Sequence, residues 1–280
     1  MKSVIIKPRN EILQSHIQYF LFFKKTDYNS LNYITFPNNN LCLAIYKENN
    51  VEYNKVSSQN NCRITQGNKS FTSRFYGFHK EPFNVDINSH LDQICILFYP
   101  SALRVFTQES YNELMSSDNV FDIFTTKDDS ILEQIFEEND IFKRANKLEY
   151  LLLSNLNYEV PQKVKEALYF ISKYKDENFT VEMLAQKLEI SMPTLFRLFQ
   201  NHVGQSSKSY LKTVRFRNVL NQILNTQKTL TNIAHSNQYF DQAHFINDFK
   251  SLSGHSPRHF FQKVSILQND LSWIYNKKQV

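Results

Sequence analysis

The feature that most restricts how this chain folds is an internal repeat in its C-terminal part. A pattern that starts at Ser191 returns at Asp241, and the matching residues are fifty positions apart. The matched pairs are Ser191 and Asp241, Leu195 and Phe245, Arg197 and Asn247, Phe199 and Phe249, Gly204 and Gly254, Ser206 and Ser256, and Tyr210 and Phe260. Upstream, residues 184–185 match 233–234, with a one-residue change in the length of the turn. Repetition of one supersecondary pattern predicts two similar units in tandem.

Each copy carries the signals of two short helices joined by a tight turn. In the first copy, Thr180 and Ser191 are placed to cap the two helices, because their hydroxyl groups accept from free backbone N–H groups. Apolar residues recur at helical spacing, and Gly204 allows the left-handed conformation that ends a helix. In the second copy, Asp241 is the cap and Gly254 the terminator. The sequence therefore predicts two helix-turn-helix units.

The second helix of each unit has an outer face that the core does not use. Amide and guanidinium groups read purine edges in the major groove of DNA, and apolar groups meet thymine methyl groups. The predicted DNA contacts on these faces are Met192, Pro193, Thr194, Phe196, Arg197, Gln200, Gln242, Ala243, His244, Ile246, Asn247 and Lys250. The alternative is that they are ordinary surface positions of a helical bundle. Two copies in register on a basic segment favour the DNA-binding interpretation.

A helix over Ser207–Asn225 is predicted between the two copies. At 1.5 Å per residue it spans roughly 28 Å, close to the ~34 Å of one duplex turn. It therefore suits two units bound to one face of DNA. Lys208 and Arg215 on this helix are predicted DNA contacts. For Arg215, a buried ion pair that joins the two halves is an equally good interpretation.

The positive charge of the chain is concentrated in the same part. Residues 160–265 hold fourteen Lys and Arg against seven Asp and Glu, whereas the remainder holds eighteen against twenty. A net charge of +7 in one part and −2 in the other favours a polyanion partner for the C-terminal part alone.

The N-terminal part has the pattern of strands followed by helices. Strands are predicted at 31–36, 41–46, 71–78 and 94–99, and helices at 101–108, 130–138 and 141–155. The pattern breaks at 157–161. The predicted fold class is α+β, with a small β-rich, barrel-like domain at 1–157, an all-α domain of two helix-turn-helix units at 160–265 and a C-terminal tail at 266–280.

The repeat resembles the AraC/XylS family of transcription regulators. The residues of the second copy that carry the resemblance are Ile233, Ala234, Asp241, Gln242, His244, Phe245, Phe249, Lys250, Gly254, Pro257 and Phe260. Those of the first copy are Leu184, Ala185, Ser191, Leu195, Arg197, Phe199, Gly204, Tyr210, Arg215 and Phe216. The resemblance implies seven helices, two recognition helices in successive major grooves, and activation or repression of promoters.

Three positions depart from the family pattern. Gln238 stands where glycine is usual, so the second turn must be built differently. Asn247 replaces a frequent arginine, which changes the base that is read or weakens the contact. Ser207 replaces the usual proline of the first unit. These departures prevent a target site from being borrowed from the family.

The N-terminal part resembles, more weakly, the sensor domains that precede this module. The resemblance implies an effector pocket lined by aromatic residues, namely Phe75, Tyr76, Phe78 and Phe98. The alternative is that these aromatic residues are simply core. The family also implies a homodimer, with the helices at 130–157 as a candidate interface, and contact with RNA polymerase if the protein is an activator.

Signals of catalysis, metal binding and membrane insertion are lacking. The sequence has no Gly-rich phosphate loop, GxSxG or HExxH motif, so no enzyme activity and no cofactor are expected. His79, His90, Asp86 and Asp92 are interpreted as scattered surface residues rather than a metal site. The three cysteines are far apart in sequence, and the longest apolar runs fall short of the roughly 20 residues of a membrane span. A reduced, cytoplasmic protein is expected.

These observations predict a sequence-specific regulator that binds double-stranded DNA and responds to an effector. The alternative is a sensor module for a small molecule or a protein, in which DNA contact is secondary. Gln238 and Asn247 in the second unit leave this alternative open.

Overall fold

A computed structural model describes residues 2–56, 59–124, 130–174, 179–237, 239–263, 266–268 and 271–275. Its N-terminal part is a β-rich domain with flanking helices, and its C-terminal part is helical. The predicted α+β class is therefore confirmed. None of the helices in these ranges combines the length and the apolarity that a membrane span requires.

Within the described ranges, nine strands form one sheet. They are β1 (Lys2–Ile6), β2 (Ile17–Lys25), β3 (Leu31–Thr35), β4 (Leu41–Val56), β5 (Gln59–Tyr76), β6 (Phe83–Ile87), β7 (Leu91–Phe98), β8 (Ile266–Gln268) and β9 (Leu271–Tyr275). Their order across the sheet is β1-β2-β7-β4-β5-β6-β3-β9-β8. The β5–β6 pair is parallel and the other pairs are antiparallel.

The sheet buries both of its faces. Successive side chains of a strand point to opposite sides, so Leu43 and Ala44 on β4 belong to different cores. Leu43 packs with the helices of the N-terminal part, whereas Ala44 faces the concave side of the sheet with Tyr46. Burial on both faces explains why strands such as β7 are almost continuously apolar instead of alternating.

Among the described residues, four helices flank the sheet: α1 (Glu11–Gln14), α2 (Tyr111–Ser116), α3 (Ser130–Phe136) and α4 (Ile141–Leu153). The 3₁₀ turn Ala102–Val105 lies between β7 and α2, and the 3₁₀ turn Val120–Phe124 lies between α2 and α3. The predicted helix at 101–108 is only such a turn. The helices predicted at 130–138 and 141–155 are present with slightly shorter bounds.

The described residues of the C-terminal part contain seven helices: α5 (Gln162–Lys173), α6 (Val181–Lys187), α7 (Met192–His202), α8 (Ser207–Asn225), α9 (Leu230–Ser236), α10 (Gln242–Ser253) and α11 (Pro257–Lys263). The predicted connecting helix is α8, with the expected bounds. Helices α6–α7 and α9–α10 are the two helix-turn-helix units.

The strand predictions were incomplete. Strands β1, β2 and β6 were not predicted, and β4 and β5 form a hairpin much longer than the predicted 41–46 and 71–78. The residues predicted as a C-terminal tail include β8 and β9, and β9 pairs with β3 through Tyr33–Tyr275 and Ile34–Ile274. Short apolar runs interrupted by polar residues predict a strand only weakly. Whether such a run forms a strand depends on its pairing with segments far away in the sequence.

The expected boundary at 157–161 does not separate two cores. Val160 and Val164 lie in the same buried cluster as Leu103 of the N-terminal part and Leu195 of the first unit. The second unit has its own cluster, around Phe216, Phe245 and Phe249, and Phe36 from the N-terminal part joins it. The first unit is thus packed onto the N-terminal part more extensively than the second.

Candidate nucleic-acid interface

The first unit is built as its sequence predicts. The Thr180 side chain accepts from the N–H of Met183, and Ser191 Oγ accepts from the N–H of Thr194 at 3.3 Å. On α7, Leu195 and Phe199 are fully buried. The helix ends before Gly204, whose φ of 88° is the left-handed conformation. Glu189, with φ 54°, supplies a second left-handed residue in the turn.

The second unit repeats this construction. Asp241 Oδ1 accepts from the N–H of His244 at 2.6 Å, and Gly254 ends α10 with φ 73°. The Ile190 N–H donates to Ala185 O in the first turn and the Tyr239 N–H donates to Ala234 O in the second, each at 3.1 Å. The two turns are therefore closed by equivalent bonds. Gln238, the departure from glycine, lies outside the described residues.

The one-residue difference between the turns falls at Phe240. In the first unit the cap Ser191 directly follows Ile190, whereas in the second unit Phe240 stands between Tyr239 and the cap Asp241. Phe240 is 93% exposed at the leading end of α10. The length change is visible in the sequence, but Phe240 was not predicted as a contact. The equivalent turn bonds identify it as the inserted residue.

The predicted contact residues of α7 lie on its outer face. Met192, Pro193, Phe196, Arg197 and Gln200 are exposed. Thr194 is half-buried, and its hydroxyl group lies 2.9 Å from Ser191 Oγ, so it belongs to the helix cap.

The predicted residues of α10 are arranged in the same way. Its exposed members are Gln242, Ala243, His244, Asn247 and Lys250. Ile246 is half-buried and packs against the core of the second unit. The His244 ring lies edge-on to Tyr239, with centroids 5.3 Å apart. Each unit therefore turns its polar second-helix face, with Arg197 or Asn247 on it, away from its core.

Arg215 of α8 contacts the second unit. Its guanidinium lies over the Tyr239 ring, 5.6 Å from the centroid. Lys212, one turn earlier, forms an ion pair of 2.7 Å with Asp248, which also accepts from the Tyr239 hydroxyl at 3.3 Å. These contacts hold α10 against α8. They favour the interpretation in which Arg215 joins the two halves, with an aromatic ring as its partner. Lys208, the other predicted DNA contact on α8, is exposed.

The N-terminal part contacts both units. Tyr111 donates its hydroxyl to His202 O at 2.9 Å, and its ring lies where a side chain on Gly204 would be, 2.9 Å from the ideal Cβ position. The rings of Phe36 and Phe260 are 4.9 Å apart. The first contact involves the end of α7 and the second involves α11.

A cavity of about 150 Å³ lies on the concave side of the sheet. Tyr76, one of the four residues predicted to line a pocket, lines it. Phe75 and Phe98 do not, because each lies on the opposite face of its strand and packs in the core with the helices. Phe78 lies outside it too and contacts the ring of Tyr210 on α8. Those three predictions of pocket lining were wrong for this cavity.

The polar and thiol side chains of this cavity come from positions that are far apart in the sequence. All three cysteines, Cys42, Cys62 and Cys95, line it, together with Tyr46. The Tyr46 and Tyr76 hydroxyl groups are 2.8 Å apart. Burial raises the pKa of both phenols well above 10 and raises the pKa of the Cys62 thiol to about 11. Pairing of β4, β5 and β7 brings these residues together, and only the pairing could have identified them.

The histidines and aspartates weighed as a metal site are dispersed. His79 lies against Phe83, His90 contacts Tyr28, and Asp92 pairs with Arg144 at 2.9 Å. Across the ranges that the structure describes, no group of three or more His, Cys, Asp or Glu side chains is placed to hold a metal ion.

Two regions of the chain match known families. Residues 184–263 match a family described as a helix-turn-helix domain, and residues 6–119 match a domain of unknown function (DUF6597). An uncharacterized HTH-type transcriptional regulator of Haemophilus influenzae is 28% identical over 105 residues, which are 38% of this chain and 35% of that protein. The Arabinose operon regulatory protein of Escherichia coli is 28% identical over 135 residues, 45% of this chain and 46% of that protein.

Among solved structures, ToxT from Vibrio cholerae aligns with 87% of this chain and 97% of its own, at 10% identity and a TM-score of 0.45. The chain spans between 35% and 46% of the length of the two curated relatives above. Residues 184–263 are a helix-turn-helix domain of the AraC/XylS type.

Proposed function

We propose that this protein is a sequence-specific, DNA-binding transcription regulator. The observation that carries the proposal is the pair of capped units whose second helices expose polar faces and are joined by the 19-residue α8. A helix of that length, roughly 28 Å, suits two contacts about one duplex turn apart. The net charge of +7 in residues 160–265 supplies attraction to phosphate groups.

The candidate DNA contacts divide into three roles. Arg197, Gln200, Gln242 and Asn247 read base edges, because guanidinium and amide groups form paired hydrogen bonds with guanine and adenine. The apolar residues Phe196, Ile246 and Phe240 meet thymine methyl groups or sugars. The remaining residues, at the N-terminal ends of α7 and α10 and at the edges of the contact surface, contact the sugar-phosphate backbone of the DNA: Met192, Pro193, Thr194, Lys208, Ala243, His244 and Lys250. Arg215 holds the second unit in position instead.

The cavity in the sheet is the proposed effector site. Phe36 lines the cavity and also packs on Phe260 of α11, so its side chain connects the cavity to the core of the second unit. A ligand that moves Phe36 changes that contact. This connection supports a regulator whose DNA affinity depends on a small molecule.

Self-association is proposed through α4. Phe142 and Tyr150 on this helix are 54% and 76% exposed, and they lie eight residues apart on one face. Contact with RNA polymerase applies if the protein is an activator. We further propose that the protein is cytoplasmic and has no catalytic activity; its three free cysteines agree with a reducing compartment.

Selection of genomic DNA fragments by the full-length protein tests the proposed function. We expect enrichment of one motif, and a log affinity that falls by roughly 0.9 per neutralised phosphate as log salt rises. Absence of any enriched motif at moderate salt contradicts the proposal and favours a sensor module in which DNA contact is secondary.

A further inference from the structure

The described lining of the cavity contains no carboxylate, ammonium or guanidinium group. Of the lining residues that the structure describes, none is Lys, Arg, Asp or Glu, and His79 is the single histidine. Most of the wall is apolar or aromatic, with Leu21, Phe23, Phe83 and Leu97 among its members. A charged ligand loses its hydration on entering such a site without gaining a fixed counterion.

The polar groups in the wall are held neutral. Burial raises the pKa of the Tyr46 and Tyr76 phenols and of the Cys62 thiol, and a hydrogen bond with Cys42, together with burial, raises that of Cys95. At neutral pH these residues therefore offer hydrogen bonds without charge. Most of them already use one another: Tyr46 with Tyr76, and Tyr76 with Cys62 at 3.5 Å.

The side-chain oxygen of Gln93 is an acceptor that receives no hydrogen bond from the described residues of the wall. Its side chain is 5% exposed, and its Nε2 donates to Cys95 Sγ at 3.2 Å. Its Oε1 is buried and has no hydrogen-bond partner among the described residues. Buried amide oxygens are normally paired, because an unpaired one loses its hydration without compensation. The Gln93 Oε1 atom therefore lacks a hydrogen-bond donor among the described residues, and a bound ligand can supply one.

We propose that the cavity binds a small, uncharged, mainly apolar molecule that donates one hydroxyl or N–H group to Gln93. Its size of about 150 Å³ fits a single aromatic ring, since apolar cavities of roughly that volume take up benzene. The acceptor at one wall then orients the ring. This inference names the ligand class for the effector site and rests on that part of the proposed function.

Three probes of one ring size test the ligand class: phenol, toluene and benzoate. Binding to the full-length protein at pH 7.5 is measured by calorimetry. Phenol is expected to bind roughly tenfold more tightly than toluene, the value of one hydrogen bond to a buried acceptor. Benzoate is expected to bind far more weakly than either, because its carboxylate must be desolvated.

Gln93→Leu removes the acceptor and keeps the side-chain size. In this variant phenol and toluene are expected to bind equally, and retained toluene binding shows that the cavity is intact. Gln66→Leu is the matched control, since Gln66 is exposed on β5 and does not line the cavity. It is expected to keep the preference for phenol.

Three results would overturn the inference: benzoate binding as tightly as phenol, a preference for phenol that survives Gln93→Leu, or no binding of phenol and toluene. DNA affinity, measured with and without phenol, separates this inference from the proposed function. Phenol binding that leaves DNA affinity unchanged supports the ligand class and contradicts the effector role. Absence of specific DNA binding both with and without phenol, while phenol binds the protein, contradicts the proposed function alone.

Discussion

Arg197 and Asn247 occupy the same position in the two units, yet they offer different chemistry to DNA. Both side chains are exposed on the outer face of a second helix. A guanidinium pairs best with guanine, whereas an amide pairs best with adenine. We therefore expect the two units to read different half-sites. The departure from arginine at Asn247 is expected either to change the base that is read or to weaken that contact.

Replacing Arg197 with alanine is expected to weaken binding to the selected motif by ~1–3 kcal/mol and to relax specificity at one base position. The reason is the loss of a base-edge contact, with Leu195 and Phe199 still packed beneath the helix. Selection from a randomised site measures both effects. Lys7→Ala removes the same charge from an exposed position in the N-terminal part and serves as the control. If Arg197→Ala weakened all sequences equally, the residue would be a backbone contact.

The sequence predicted the helices of the C-terminal part better than the cavity of the N-terminal part. Helix caps such as Ser191 and terminators such as Gly204 act within a few residues, so their signals are local and readable. The cavity depends on Tyr46 of β4 meeting Tyr76 of β5 and on Cys42 of β4 lying beside Leu97 of β7. Pairing of strands that are distant in sequence carries no local signal, so these residues could not be grouped in advance.

At the scale of elements, the second unit is held against α8 by a small polar cluster. Lys212 pairs with Asp248, Asp248 accepts from Tyr239, and Arg215 lies over the Tyr239 ring. Asp248 is only 13% exposed in its side chain, so this ion pair is screened less than a surface pair. The cluster explains how α10 keeps its direction relative to α8, which two units on one duplex require.

The geometry at the end of α7 restricts which residue can stand at Gly204. Gly204→Ala is expected to destabilise the protein by ~1–2 kcal/mol or more, because φ of 88° is costly for alanine and the new Cβ meets the Tyr111 ring at 2.9 Å. The midpoint of urea unfolding measures the change. Gly77→Ala is the control, because its nearest neighbour is the flexible Met115 side chain at 3.1 Å. An unchanged midpoint for Gly204→Ala would mean that this junction is not packed as described.

At the scale of the whole molecule, the two units differ in how they join the N-terminal part. The first unit shares a continuous core with it, whereas the second meets it at Phe36 and Phe260 and beside Pro82, which lies 3.2 Å from an ideal Cβ on Gly254. The second unit therefore has the smaller attachment. A ligand-dependent change is expected to move the second unit relative to the first.

The junction with the first unit makes stability depend on pH. Burial, and then the charge of Arg104, lowers the pKa of His202; burial, and then Lys165, lowers that of His16. The unfolded chain binds these protons near pH 6.5, and the folded protein binds them only at lower pH. This contribution to stability is therefore complete above pH 6.5 and is lost as the pH falls below it.

Thermal unfolding between pH 7.5 and 5 measures this effect. The melting temperature is expected to fall across this range, and to fall less in the His16→Asn, His202→Asn double variant, because asparagine does not titrate. His235→Asn is the control, since His235 is exposed on α9. Equal slopes for the double variant and the natural sequence would show that other groups cause the dependence.

Both units are proposed to bind neighbouring major grooves of one duplex. Hydroxyl-radical footprinting of the full-length protein on its selected site distinguishes this arrangement from binding by one unit alone. We expect two protected segments on one face of the DNA, with centres ~10–10.5 base pairs apart, and loss of one segment on changing its bases. A single protected segment, or two on opposite faces of the duplex, would rule this arrangement out.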